Sequence, residues 1–302
     1  MTILDGMIRV FKPPGWTSHD VVNLVRRTLA VRKVGHTGTL DPGAAGLLLV
    51  LVGRGTKAQR YFDGLGKRYV AELTLGLETD TGDGFGQVIR VDESPPDDPG
   101  AVREVLAQFV GDVQQIPPMT SAVKRRGVPL YRLARRGIEV KREPRRVRIQ
   151  SLRLLEWRGG PPPRALLEIS CSPGTYVRTL MADLAAAAGS CGYMSFLVRT
   201  AVGGFAISGS APPGDICRER VMPLRDALGF LPAVRLDAAD ARLVSGGARP
   251  RGPRVGDMSD GDRVRLLDAR GELLAVGAVS SGRIHPERVF VRPDDISGER
   301  AD

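Results

Sequence analysis

RKVGHTGTLDPGAAGLLLVLVGRGTK, residues 32–57, joins a glycine-rich loop to an uninterrupted apolar run that ends at Gly53. The run is too short for a stable helix and reads as a buried strand. Asp41 stands in the loop just before it, among glycines that let backbone approach a ligand closely. Asp-Pro-Gly is also ordinary turn chemistry, so the tripeptide alone says only that the chain turns here. After the strand, Thr56 is expected to cap a short helix running to Phe62.

On the N-terminal side, IRVFKPPGWTSHDVVNLVRRTLAV reads as a short strand, a Pro-Pro-Gly turn and a helix capped at Thr17 or Ser18, with Val21, Val22, Val25 and Leu29 facing a core. On the C-terminal side, Arg68 to Leu77 alternates with period two, as a half-buried antiparallel strand does, and TDTGDGFGQVI follows as a turn and its partner strand. AVREVLAQFVG sets Val102, Val105, Leu106 and Phe109 on one helical face and is expected to close at Gly111. RRVRIQSLRLLEW and RALLEISCS read as two strands joined by RGGPPPR, and YVRTLMADLAAAAG as a helix stopped by Gly189. Hairpins with intervening helices define an α+β domain on a mixed or antiparallel sheet. A weak boundary at SGSAPPGD precedes a shift of composition near Leu231. Beyond it, strands on either side of Asp-Ala-Arg-Gly, then RIHPERVFVRP, form a small β-rich unit. The division is therefore 1–231 and 232–302.

Composition narrows the function. With 42% hydrophobic and 26% charged residues, and no apolar stretch near the roughly 18 residues of a membrane span, the chain reads as soluble. MTILDGMIRVFKPPG has no secretory h-region, so a cytoplasmic protein is expected. Three cysteines without a C-x-x-C pair, and three histidines, give no metal-ligand spacing. VGRGTK and GLGKR miss the order of a phosphate loop, and no G-x-S-x-G is present, so a carboxylate is the best candidate for catalysis. A net charge of +10 points to a polyanionic partner. The positive charge crowds between Lys124 and Arg148, where acidic residues are sparse.

Four segments in order, KPPGWTSHDVV, the stretch quoted at the outset, KRYVAELTLGLETDTGDGFG and CSPGTYVRTLMADL, together resemble the TruB family of tRNA pseudouridine-55 synthases. The resemblance runs on through IPPMTSAVKRRGVPLYRLARRGIEV and FLVRTAVGGF, and more loosely into the C-terminal unit. It implies a pseudouridine synthase domain with a thumb-like insertion at about 118–145, followed by a small β-barrel-like (PUA-like) RNA-binding domain. It implies Asp41 as the nucleophile, Tyr69 as the aromatic that packs on the target base and helps remove its C5 proton, and Arg178 as the partner of the aspartate. Asp and Tyr suit these tasks, since a neighbouring Arg favours a charged carboxylate and a phenol offers both a flat face and a hydroxyl.

By the same resemblance His36, Tyr176 and Leu197 belong near the flipped-out nucleotide, and Lys124, Arg125 and Arg126 on the RNA. The implied partner is the TΨC stem-loop of tRNA, with no cofactor, no metal, no membrane, no obligatory protein partner and a monomeric chain. Extruding the uridine from a folded loop costs a few kcal/mol, which basic loops must offset. Two other readings share these features: an RNA-guided synthase of the same superfamily and a non-catalytic tRNA-binding or folding protein. The thumb insertion and the single short chain favour the stand-alone enzyme, and the intact Asp41, Tyr69 and Arg178 favour catalysis.

Overall fold

The computed structural model describes residues 4–121, 123–125, 127–134, 136–252 and 258–291, with only the backbone at Lys124. Strand β1 (Gly6–Lys12) leads through the Pro-Pro-Gly turn to helix α1 (Ser18–Thr28). Thr17 caps the helix: its hydroxyl accepts from the Asp20 N–H, and the Asp20 carboxylate accepts from the Thr17 N–H at 2.8 Å. That reciprocal pair satisfies two donors that a helix start leaves orphaned. Val21, Val22, Val25 and Leu29 are buried, as their spacing requires. Next come β2 (Val34–His36) and its antiparallel partner β3 (Ala45–Val52), with Asp41 in the connecting loop.

Thr56 does not cap a helix. Gly53–Ala58 is a 3₁₀ turn springing straight from β3, and the Thr56 hydroxyl inside it donates to the Gly53 carbonyl at 2.8 Å; α2 (Gln59–Phe62) simply continues it. Strand β4 (Lys67–Leu75) ends two residues earlier than its alternation suggests, because Gly76, at φ 85°, turns the chain out of the sheet and sends its N–H to the Cys191 carbonyl. The following β5 (Leu77–Thr79) and β6 (Val88–Val91) therefore pair with each other in a separate ribbon, so TDTGDGFGQVI supplies no partner for β4. Helix α3 (Pro99–Leu106) starts on an Asp98 cap and buries Val102 and Val105, with Leu106 and Phe109 packed alongside. Gly111 is not its terminator. A 3₁₀ turn intervenes, and Gly111 opens strand β7 (Gly111–Gln115) at φ 109°.

The basic segment contains a two-residue hairpin, β8 (Lys124–Arg125) with β9 (Val128–Pro129), and the single turn α4 (Leu130–Ala134). Then follow β10 (Arg145–Arg158), β11 (Arg164–Cys171), α5 (Val177–Ala187) with Gly189 in the left-handed region, β12 (Gly192–Val202), β13 (Phe205–Ala206), β14 (Met222–Pro223) and α6 (Leu224–Ala227). The main sheet runs β14-β1-β3-β12-β4-β11-β10-β7, with β2 and β13 attached to β3 and β12. It is mixed, since β3 and β12 run parallel while the other pairs are antiparallel.

Helices α3 and α5 cover the face built by β4, β10, β11 and β12. Helix α1 covers Ile8, Val10, Leu48, Val50 and Val52 on the other half of the sheet, while Leu47, Leu49 and Leu51 face the C-terminal unit. Burial from both sides is why β3 can be apolar at every position. The C-terminal unit contains β15 (Ala233–Arg235), α7 (Ala238–Ser245), β16 (Arg263–Leu267), β17 (Leu273–Ser280) and β18 (Arg283–Val289). Its four strands pair in the order β15-β16-β17-β18, with the Asp-Ala-Arg-Gly turn between β16 and β17, as the sequence indicates.

Candidate active site

The loop carrying Asp41 is held from below. Lys12, fully buried at the end of β1, donates its ammonium to the carbonyls of Pro13 at 3.0 Å, Trp16 at 2.6 Å and Pro42 at 3.1 Å. Burial brings its pKa down to about 8, with the charge of Asp41 partly opposing the fall. The Ser18 hydroxyl, buried at the first residue of α1, accepts from the Leu40 N–H at 2.9 Å. The Asp41 side chain is thereby presented at the loop surface, 38% exposed.

Across from it, Arg178 sits in the first turn of α5 with its side chain 6% exposed. Its Nε lies 3.0 Å from Asp41 Oδ2. Nη1 donates to the Thr81 carbonyl at 3.0 Å and to the Thr120 hydroxyl, Nη2 donates to the Thr120 carbonyl at 3.1 Å, and Asp83 Oδ2 stands 3.8 Å from Nη1. Every guanidinium nitrogen is engaged, so the charge is fixed in direction and one carboxylate oxygen of Asp41 is anchored by it. The start of α5 is itself clamped. Gln115 at the end of β7, 1% exposed, accepts from the Tyr176 N–H at 3.0 Å and donates to the Tyr176 carbonyl at 3.3 Å.

Tyr69 projects from β4 directly opposite Arg199 of β12. Burial pushes its phenol up to about 12, with the Arg199 guanidinium in hydrogen-bonding contact opposing the shift. Arg199, 2% exposed, also donates to the carbonyls of Leu47 at 2.8 Å, Gly38 at 3.1 Å and Thr39 at 3.3 Å, so it ties the Asp41 loop to the central strands. Lys67 lies close by, its pKa lowered first by burial and then by Arg199. Asp41, Tyr69, Arg178, Leu197 and Tyr176 all line one cleft of about 330 Å³, a volume in the range of small-molecule sites.

The other candidates fall differently. His36 is half-buried on β2, one residue before the cleft wall begins at Thr37, and its Nδ1 accepts the Gly38 N–H at 3.3 Å. Burial followed by Arg199 lowers its pKa, which agrees with that acceptor role. Arg125 donates to the Lys141 carbonyl and so joins the two arms of the basic segment. Arg126 and the Lys124 side chain lie outside the described residues. Sequence reasoning overlooked Arg199, Lys12, Thr120 and Gln115. The one trace of Arg199 is its spacing of two from Leu197, but a charge at that inward position breaks the apolar alternation that would mark a strand face. Gln115 and Thr120 left no such trace, because their partners are more than 50 residues away.

Solved structures and curated sequences resemble the chain closely. The structure of a Cbf5-Nop10-Gar1 complex matches with a TM-score of 0.74 and 26% identity, covering 96% of this chain and 86% of that one. The tRNA pseudouridine synthase B of Symbiobacterium thermophilum is 47% identical over 82% of this chain and 83% of its own length. That of Pelotomaculum thermopropionicum is 39% identical over 99% and 98%. A mixed sheet with an Arg-paired aspartate at the mouth of its cleft, in this company, defines a pseudouridine synthase, an isomerising enzyme of RNA. Residues 26–177 match the profile of the TruB family pseudouridylate synthase N-terminal domain, and the chain belongs to that family.

Proposed function

We propose that this enzyme converts uridine 55 in the TΨC loop of tRNA to pseudouridine, with Asp41 as nucleophile. The observation that carries the reading is the 3.0 Å contact between the buried Arg178 and the cleft-exposed Asp41, which leaves a fixed, accessible carboxylate facing Tyr69. Asp41 attacks C1′ of the ribose, and the C1′–N1 bond breaks with its electron pair leaving on N1. The freed uracil turns within the cleft. C5 then bonds to C1′ while the bond to Asp41 breaks and returns its pair to the carboxylate. Loss of the C5 proton and protonation of N1 complete an isomerisation. Atoms and electrons balance within RNA and protein, so the step calls for no cofactor.

Tyr69 supplies a flat face against the base. Burial holds its phenol above the ordinary range, so the resting residue is a neutral donor that takes a proton only as it gives one up. Arg178 and Arg199 hold the two walls of the cleft, and Leu197 and Tyr176 complete its lining. Residues 1–231 are assigned as the catalytic unit, the segment at 118–145 as a thumb that closes over RNA, and 232–302 as a PUA-like RNA-binding unit acting within a monomer. The names of the relatives at 39–47% identity favour a tRNA substrate over a guide-RNA particle.

The test is mass-spectrometric mapping of pseudouridine in unmodified tRNA incubated with the purified chain alone. Asp41→Asn should keep its melting temperature and its tRNA affinity, because phosphate contacts dominate binding, while product falls below detection at saturating enzyme. Appreciable product from the folded Asn variant would overturn the mechanism, and a modified position other than 55 would overturn the substrate.

A further inference from the structure

Phe85 is the most exposed large apolar side chain among the described residues, at 75%. It stands in the loop between β5 and β6, and that loop is tightly tied. Its own N–H donates to Asp83 Oδ1 at 3.1 Å, the Thr81 hydroxyl donates to the same oxygen at 2.7 Å, and the Gln87 N–H donates to Asp80 Oδ1 at 2.9 Å. The Met194 N–H reaches the Gly82 carbonyl at 3.1 Å, which fastens the loop to β12. A ring held outward by this many bonds has not drifted out of a core.

The ring also has a defined back. It packs over Gly43, two residues after Asp41, so closely that a β-carbon there would lie 2.0 Å from Phe85 Cε2. Phe85 and Phe196, the latter 48% exposed, line one small depression whose wall includes Asp41 and Leu197. The same Asp41 and Leu197 line the main cleft, so the depression adjoins it. Proteins that read unpaired RNA present aromatic rings of this kind, because every base has a π face to stack and sequence recognition is not required.

We propose that Phe85, with Phe196 across the same depression, is a stacking platform for an unpaired base adjacent to the uridine that enters the cleft. This deepens the proposed function and rests on that reading. The occupant is a nucleobase because the patch is continuous with the catalytic cleft. The bared aromatic ring, anchored on one side by the Asp41 loop and open on the other, fits a flat partner.

The experiment uses the full-length chain in the Asp41→Asn background, so that RNA is bound without conversion. Three unmodified tRNAs are compared: intact, abasic at the nucleotide 5′ of the target, and abasic at the nucleotide 3′ of it. With Phe85 present, one abasic substitution should weaken binding by roughly 5- to 150-fold, the range of a lost stacked base. In Phe85→Ala and Phe85→Leu, intact tRNA should bind with that same loss and the abasic change should cost nothing further, while Phe85→Trp restores the penalty. Melting temperatures of the variants should match the parent, since so little of the ring is buried.

Equal abasic penalties with and without the ring, or wild-type affinity in Phe85→Leu, would overturn the proposal. So would self-association that Phe85→Ala abolishes while RNA binding stays intact, which would reassign the ring to a contact between copies. Pseudouridine formation by the wild-type chain is measured on the intact tRNA in parallel. Its absence would remove the catalytic reading, whereas stacking is judged on the affinities alone.

Discussion

Tyr69 and Lys12 show how single side chains are tuned by what surrounds them. Tyr69→Phe keeps the ring in the cleft and removes the hydroxyl opposite Arg199, so the single-turnover rate should fall by 100-fold or more, on the order of a lost proton-transfer partner, with tRNA affinity within about threefold. Wild-type rates in Phe would leave the residue a packing role only. Lys12 makes a pH prediction whose two arms oppose each other. Above about pH 8 the folded protein loses the ammonium that grips the Pro42 carbonyl and faces the charge of Asp41, so the rate should decline as pH rises, and Lys12→Met should be slow without that limb. Stability should move the other way. Below pH 8 both states hold the proton and the fold bears the full cost of burying it. From about 8 up to the ordinary value of 10.5 only the unfolded chain keeps it, so unfolding free energy rises with pH across that window. Rate profiles and urea melts on one preparation, from pH 6 to 10, check both signs.

At the scale of elements, the site depends on how β7 meets α5. Gln115 answers both the N–H and the carbonyl of Tyr176, and Arg178 follows two residues later. Gln115→Leu should strand those two backbone groups and cost about 1–3 kcal/mol in a denaturant titration, the usual penalty for an unpaired buried donor or acceptor. It should also slow the bound-state reaction as Arg178 loses its seat, while Gln115→Glu, which keeps the acceptor for the Tyr176 N–H, should recover part of each. Several elements were legible beforehand. The helix cap at Thr17 or Ser18, which the structure places at Thr17, the apolar β3 and the Gly189 stop follow from side chains that act within a few residues of themselves. β12 and β7 were not. Strand β12 carries Arg199 at an inward position, and β7 reads GDVQQ, so neither shows apolar alternation; their strand character comes from pairing with β4, β3 and β10.

Over the whole molecule, the C-terminal sheet is built into the rest of the fold rather than strung from it. Leu267, Leu273, Val276 and Phe290 share one apolar cluster with Met7, Leu49 and Phe62. Glu287 of β18 pairs with Arg60, lies 3.1 Å from Arg263 and accepts from the Tyr61 hydroxyl at 3.4 Å, and the Lys57 ammonium donates to the Val289 carbonyl at 3.2 Å. Deleting residues 232–302 should therefore destabilise what remains by several kcal/mol, at about 1.5–3 per buried apolar side chain stripped from the cluster. Thermal melts and light scattering of the truncated chain would show it, and an unchanged melting temperature would contradict the shared core. The loss of RNA binding expected from removing a PUA-like unit is readable only once that stability loss is known.

Four motifs in a fixed order were enough for the sequence alone to determine the family, the aspartate loop and the α+β class, because loop glycines, caps and apolar runs declare themselves locally. What it could not decide is which distant groups hold those residues in place. Arg199 opposite Tyr69, Thr120 on Arg178, Gln115 on Tyr176, and Phe85 over Gly43 join positions 42 to 130 residues apart. Only strand register and the folding of one loop over another create such pairs, and no one-dimensional period records them.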